Sequence, residues 1–114
     1  MAQLLQGKIA AISGAVTGIG RAIALEYLQH GACVAVNHFP DDKSSQQYRE
    51  LVSEAGELSK NLLDAPGDIS KPETGLALVA KTVEKWGRLD VFVSNAGVCQ
   101  FADFLTYVVE CPWR

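Results

Sequence analysis

A chain of 114 residues, 48% hydrophobic and 20% charged, has the balance of one ordinary globular domain, and no apolar stretch reaches the length of a membrane span. The formal net charge of −3, with no basic run or aromatic ladder, excludes a nucleic-acid footprint. Residues 1–6 lack the basic end and apolar core of a secretory signal, so the cytosol is the expected compartment, and three cysteines with two histidines make neither a disulfide framework nor a zinc spacing.

An apolar run predicts the first strand over 8–12. It is followed by Ser13-Gly14-Ala15-Val16-Thr17-Gly18-Ile19-Gly20 and then by a helical pattern over 19–30 that stops at Gly31. A second apolar strand is expected over 32–37, with Cys33 as a small core residue. Asp41 and Asp42 read as a solvated turn before a helix over 44–55, which carries Tyr48, Leu51, Val52 and Ala55 on one face and closes at Gly56. A third strand follows over 61–65. The third helix begins with a capping box of Ser70 and Glu73 and with Pro72 in its first turn; it carries the clearest apolar stripe, Leu76, Val79, Ala80 and Val83, and Gly87 ends it. The fourth strand, over 89–94, leads into Ser94-Asn95-Ala96-Gly97.

Short apolar strands alternating with helices predict an α/β fold: a doubly wound, Rossmann-type parallel sheet of order 3-2-1-4. The strand order reverses beside the first strand, and ligands of such sheets bind outside the strand carboxyl ends at that reversal. Residues 13–20 and 94–97 both fall there. A strand–turn–helix with three glycines suits a dinucleotide pyrophosphate, because glycine permits the tight turn and the helix N-terminus presents N–H groups to anionic oxygens.

The spacing of Gly14, Gly18 and Gly20 fits T-G-x-x-x-G-x-G with Ser13 in place of the threonine. With Asp68 in Gly67-Asp68-Ile69, and with Ser94-Asn95-Ala96-Gly97 standing like an N-N-A-G segment, the chain over about 7–105 resembles the short-chain dehydrogenases/reductases, in their amino-terminal half. That resemblance implies a nicotinamide dinucleotide held by Gly14, Thr17, Gly18, Ile19 and Gly20 at the phosphates, by Asp68 and Ile69 at the adenine, and by Asn95, Ala96 and Gly97 along the adenosine side. Ser13 is expected to bond within its turn or towards Asn95, and Arg21 to lie near the phosphates or in solvent.

At the end of the second strand, where an acid would read both ribose hydroxyls, stand Asn37 and His38. No carboxylate repels a 2′-phosphate there, yet Thr17 rather than Lys or Arg precedes Gly18. The reading therefore leans to NADP, or to NADP and NAD alike, through Asn37, His38 and Lys43; His38 also reads as a plain surface side chain. Residues 7–14, 36–40, 66–70 and 91–99 resemble the fungal L-rhamnose dehydrogenases of that family. This implies a sugar substrate oxidised to its lactone, and a full-length protein that is a homo-oligomer.

The family's chemistry uses a serine and a Tyr-x-x-x-Lys pair. Four residues after Tyr27, Tyr48 and Tyr107 stand Gly31, Val52 and Cys111, so no catalytic residue is assigned. Nor is a metal ligand assigned. Residues 106–114 read as a divergent tail behind a dinucleotide-binding region over 1–105. The chain is expected to be the cofactor-binding part of such an enzyme, inactive and marginally stable by itself. The alternative is an inactive dinucleotide-binding or subunit-interaction module.

Overall fold

A computed structural model describes residues 3–95. Its sheet is wholly parallel, in the order β3-β2-β1-β4. The central strand β1 (Ile9–Ile12) lies beside β2 (Cys33–His38), with Ile9 opposite Cys33 and Ile12 opposite Val36. On its other side β1 takes β4 (Val91–Val93), with Ala11 opposite Phe92. The edge strand β3 (Leu62–Pro66) runs along β2 from Leu62 opposite Val34 to Pro66 opposite His38. Three helices connect the strands: α1 (Gly18–Gln29), α2 (Asp42–Ala55) and α3 (Pro72–Trp86). A 3-10 turn, Gly56–Asn61, follows α2.

The alternation of strand side chains divides the core into two unlike layers. Ile12, Val34, Val36 and Leu62 share a cluster with Ala24 and Leu28 of α1 and Leu51 of α2. Leu28 and Leu51 are fully buried, each worth about 1.5–3 kcal/mol relative to exposure. The opposite face presents Ala11, Ala35 and Ala65, which pack with Leu78 of α3. Bulky branched residues thus meet two helices, while three small ones admit α3.

Helix ends follow local chemistry. Asp41 is the N-cap of α2, its carboxylate accepting from Ser44 N at 2.7 Å, so the helix begins at Asp42 and the expected solvated turn is a capping turn. Gly31, Gly56 and Gly87 follow the three helices with positive φ, as their stop positions require. The expected face of α2 is borne out: Leu51 is buried, with Tyr48, Val52 and Ala55 packed beside it.

Two expectations about α3 are corrected. The residues facing the sheet are Leu78 and Thr82, whereas Leu76 is 74% exposed, Val79 37% and Val83 41%. Thr82 hides its polarity by donating its hydroxyl to Leu78 O at 2.7 Å, which allows a residue that looks polar in sequence to be fully buried. The capping box does not form either. Lys71 is the N-cap without a side-chain bond, and the Ser70 hydroxyl turns back to Asp68. Pro72 does open the helix. No helix among the described residues is long and apolar enough to cross a membrane.

Candidate dinucleotide site at the carboxyl ends of the strands

β1 is followed by a buried Ser13, and the chain then turns through Gly14 at φ 61°. Ala15 and Val16 drop into the core, leaving Thr17, Gly18 and Ile19 exposed as a lip at the start of α1. Thr17 is the N-cap, yet its side chain makes no capping hydrogen bond. The opening N–H groups of a helix have no partner within it, so this end is a positively polarised place for an anion. Gly18 has φ 56°, and a Cβ built on it meets nothing within 4 Å, so the space over the turn is clear for a ligand to approach the backbone. Gly20 is the opposite case: a Cβ there would stand 2.5 Å from Gly14 O and from Asn95 Nδ2. One glycine opens the site; the other lets the helix seat against the turn.

The two motifs meet across the β1–β4 boundary. Asn95 N donates to Ser13 Oγ at 3.0 Å, and Asn95 Nδ2 donates to Ser13 O at 3.3 Å and Gly14 O at 3.1 Å. Ser13 N also donates to Val93 O at 3.0 Å. Asn95 therefore fastens β4 to the glycine turn, and Ser13 is directed towards it, one of its two expected roles. Ala96, Gly97, Cys99, Tyr107 and the segment 106–114 lie outside the described residues.

Asp68 follows Gly67 beyond β3. Its Oδ1 accepts from Ser70 N at 3.0 Å and Ser70 Oγ at 2.7 Å, and these two bonds hold the carboxyl below its ordinary titration range. An ionised acceptor therefore stands just beyond the carboxyl end of β3, followed by a half-buried Ile69. A Cβ on Gly67 would come within 2.6 Å of Thr74 Cγ2, which explains a glycine before the aspartate.

The end of β2 differs from a simple polar rim. Asn37 is 1% exposed and His38 2% exposed, so the reading of His38 as a surface residue is overturned. Alternation turns them to opposite faces. Asn37 looks towards the layer of Ala65, with both amide hydrogens engaged by backbone carbonyls. His38 looks towards α2, with Nε2 2.7 Å from Asp64 Oδ1, Nδ1 2.8 Å from Phe39 O, and its ring stacked on Tyr48 at 5.7 Å. Both of its partners are acceptors; a neutral ring donates to one of them and an imidazolium to both. Burial, with Asp64 adding to it, pushes the Tyr48 phenol up, so this stacking partner stays neutral. Sequence reading placed Tyr48 on the packed face of α2 but missed its stacking on His38, and it missed Asp64, whose signal was a lone acid inside the apolar run of β3. Arg21 pairs with Glu54 of α2 rather than pointing into the turn, and Lys43 is exposed in the first turn of α2.

The opposite end of the sheet is clamped separately. Asp90 Oδ2 accepts from Ile9 N at 2.8 Å and from Arg88 Nε at 3.0 Å, while Arg88 Nη2 donates to Gly7 O at 2.6 Å. These contacts hold β4 to β1 from below, as Asn95 does from above.

Comparison with known proteins agrees with this fold. The family model for short chain dehydrogenase matches residues 8–113, so the match runs through the segment read as a divergent tail. L-rhamnose-1-dehydrogenase of Scheffersomyces stipitis is 53% identical over 110 residues, covering 96% of this chain and 43% of that protein. L-rhamnose 1-dehydrogenase (NAD(P)(+)) of a Sphingomonas species is 44% identical over 112 residues, covering 98% and 43%. Among solved structures, L-sorbose reductase from Gluconobacter frateurii, complexed with NADPH and L-sorbose, superposes with a TM-score of 0.75 at 28% identity, over 92% of this chain and 39% of that one. The chain thus spans about two-fifths of the length of these relatives. By its sheet order, its glycine turn and these matches, the chain belongs to the short-chain dehydrogenase/reductase family.

Proposed function

We propose that these residues form the NAD(P)-binding part of a sugar dehydrogenase of the L-rhamnose 1-dehydrogenase kind. The observation that carries the reading is the strand reversal, where an open Gly18 and a helix N-terminus whose N-cap side chain makes no capping bond follow the Ser13–Gly14 turn that Asn95 fastens to β4. In this reading the backbone of Gly14, Thr17, Gly18, Ile19 and Gly20 receives the pyrophosphate. The Asp68 carboxylate, with Ile69 packed beside it, accepts from the adenine amino group. The carbonyls of Asn95 and Gly97, with Ala96 between them, border the adenosine ribose, and Asn37 and His38 build the wall at its 2′ side. When bound, the nicotinamide supplies the acceptor for a hydride from the sugar's anomeric carbon, leaving the lactone.

NADP or both dinucleotides are the proposed cofactors. Support comes from the absence of an acid at Asn37 and His38, from the NAD(P)(+) in the Sphingomonas relative's name, and from the NADPH in the sorbose reductase structure. None of Tyr27, Tyr48 and Tyr107 is followed four residues on by a lysine, so these residues bind the cofactor without turning over a sugar. The exposed Leu76, Val79, Val83 and Phe92 favour a second reading, in which the chain also docks on a full-length subunit. Titration of the 114-residue chain with NADP and NAD, by calorimetry or tryptophan fluorescence, tests the first reading. Saturable binding of either, without L-rhamnose-dependent reduction of the cofactor, is the expected result. Absence of saturable binding overturns it.

A further inference from the structure

Asn37 stands where three strand ends meet, and its polar atoms reach a different piece of chain on each side. Its carbonyl accepts from Ala15 N at 2.9 Å, and its Oδ1 faces Gly14 N at 3.4 Å. Its Nδ2 donates to Ala65 O at 3.1 Å and Gly67 O at 3.2 Å. Reversing the amide would set an N–H against the Gly14 N–H and an oxygen against two carbonyls, so only this orientation satisfies all three partners. Gly67 is held a second time, its N–H donating to His38 O at 2.8 Å. The residue after Gly67 is Asp68; the residues after Gly14 lead into α1. One buried amide thus links the turn at the phosphate end to the segment at the adenine end.

We infer that Asn37 is a positioning residue that fixes the span between the glycine turn and the Gly67–Asp68 segment, rather than a side-chain ligand of the cofactor. This rests on the dinucleotide reading above. A ligand that touches both ends gains from its second contact only if the two ends are already held at the right separation. Asparagine suits the task because it offers an acceptor on one side and two donors on the other from a short, buried side chain. Asn37→Ala removes all three side-chain bonds and leaves the Gly14 N–H and two buried carbonyls unpaired, without adding a charge beside the ligand. Asn37→Ser keeps one donor.

The test compares two probes on the 114-residue chain and on both variants. ADP-ribose spans the two ends, whereas adenosine has no pyrophosphate and does not reach the glycine turn. The expected result is a loss of about tenfold or more in ADP-ribose affinity for Asn37→Ala, the loss expected when buried hydrogen-bonding groups lose their partner. Asn37→Ser loses less, and in both variants adenosine affinity falls by a factor at least about threefold smaller than ADP-ribose affinity does, since a single-ended ligand does not draw on the span. A variant that is partly unfolded weakens both probes by the same factor, so the ratio of their affinities reads positioning and not stability. An unchanged ratio, with wild type binding ADP-ribose, overturns the positioning role alone. Failure of wild type to bind ADP-ribose, NADP and NAD overturns the dinucleotide reading itself.

Discussion

Gly20→Ala probes the seating of α1 against the glycine turn without touching the open face of the site. The new Cβ would lie 2.5 Å from Gly14 O, 2.5 Å from Asn95 Nδ2 and 3.0 Å from Ala15 Cα. Two of those atoms belong to the backbone of the turn and have no rotamer to escape into. The third is the amide that fastens β4, through carbonyls at 3.3 and 3.1 Å. Overpacking of this kind costs about 1–3 kcal/mol, and displacing the Asn95 amide adds about 1 kcal/mol. The better helix propensity of alanine offsets about 1 kcal/mol. The net loss is then about 1–3 kcal/mol, a large share of the roughly 5–15 kcal/mol that holds a domain folded. At about 4–8 °C per kcal/mol, the Tm falls by about 4–24 °C. Thermal and urea unfolding followed by circular dichroism measure it. In an Asn95→Ala background the same substitution should cost less, because one of the clashing atoms is gone. Gly20→Ala as stable as wild type would refute the reasoning.

Two further outcomes follow from the same geometry. Gly18→Val introduces a β-branched side chain into the open space over the turn at φ 56°; it should cost about 1–2 kcal/mol of stability through left-handed strain and abolish saturable NADP and NAD binding, and retained affinity would contradict the placement of the phosphates. Acid should loosen both ends of the sheet. The backbone N–H of Ile9 holds the Asp90 carboxyl below its ordinary range, the Ser70 bonds do so for Asp68, and the Ser44 N–H does so for Asp41. Because these values are depressed in the folded state, the stabilisation is complete above the unfolded value of about 4 and is lost as pH falls through the folded ones. Urea midpoints measured across that range should fall with pH, and Asp90→Ala should flatten the fall; an unaltered slope in that variant would show that Asp90 contributes nothing to it.

Much of this protein can be read along the chain because the signals are local. Glycine at 14, 18 and 20 marks a strand–turn–helix whatever surrounds it, and apolar runs separated by helical periods imply a parallel sheet whose order reverses beside β1. What the chain alone did not decide was which side of an element faces inward and which partners a buried polar group finds. On α3 the continuous apolar stripe Leu76, Val79, Ala80 and Val83 was the natural choice, yet Thr82 satisfies its own hydroxyl on the preceding turn and takes the buried place beside Leu78. Ser70 had two acceptable uses, capping α3 or closing a turn on Asp68, and the geometry after Gly67 selects the second. At the end of β2, neighbouring polar residues look alike in sequence, but the two-residue strand period sends Asn37 to one face and His38 to the other. There they meet carbonyls of β3 and the Asp64 carboxylate, from residues more than twenty positions away. Local backbone preference determined the elements and the glycine turn; hydrogen-bond partners brought from distant segments decided what the polar residues between them do.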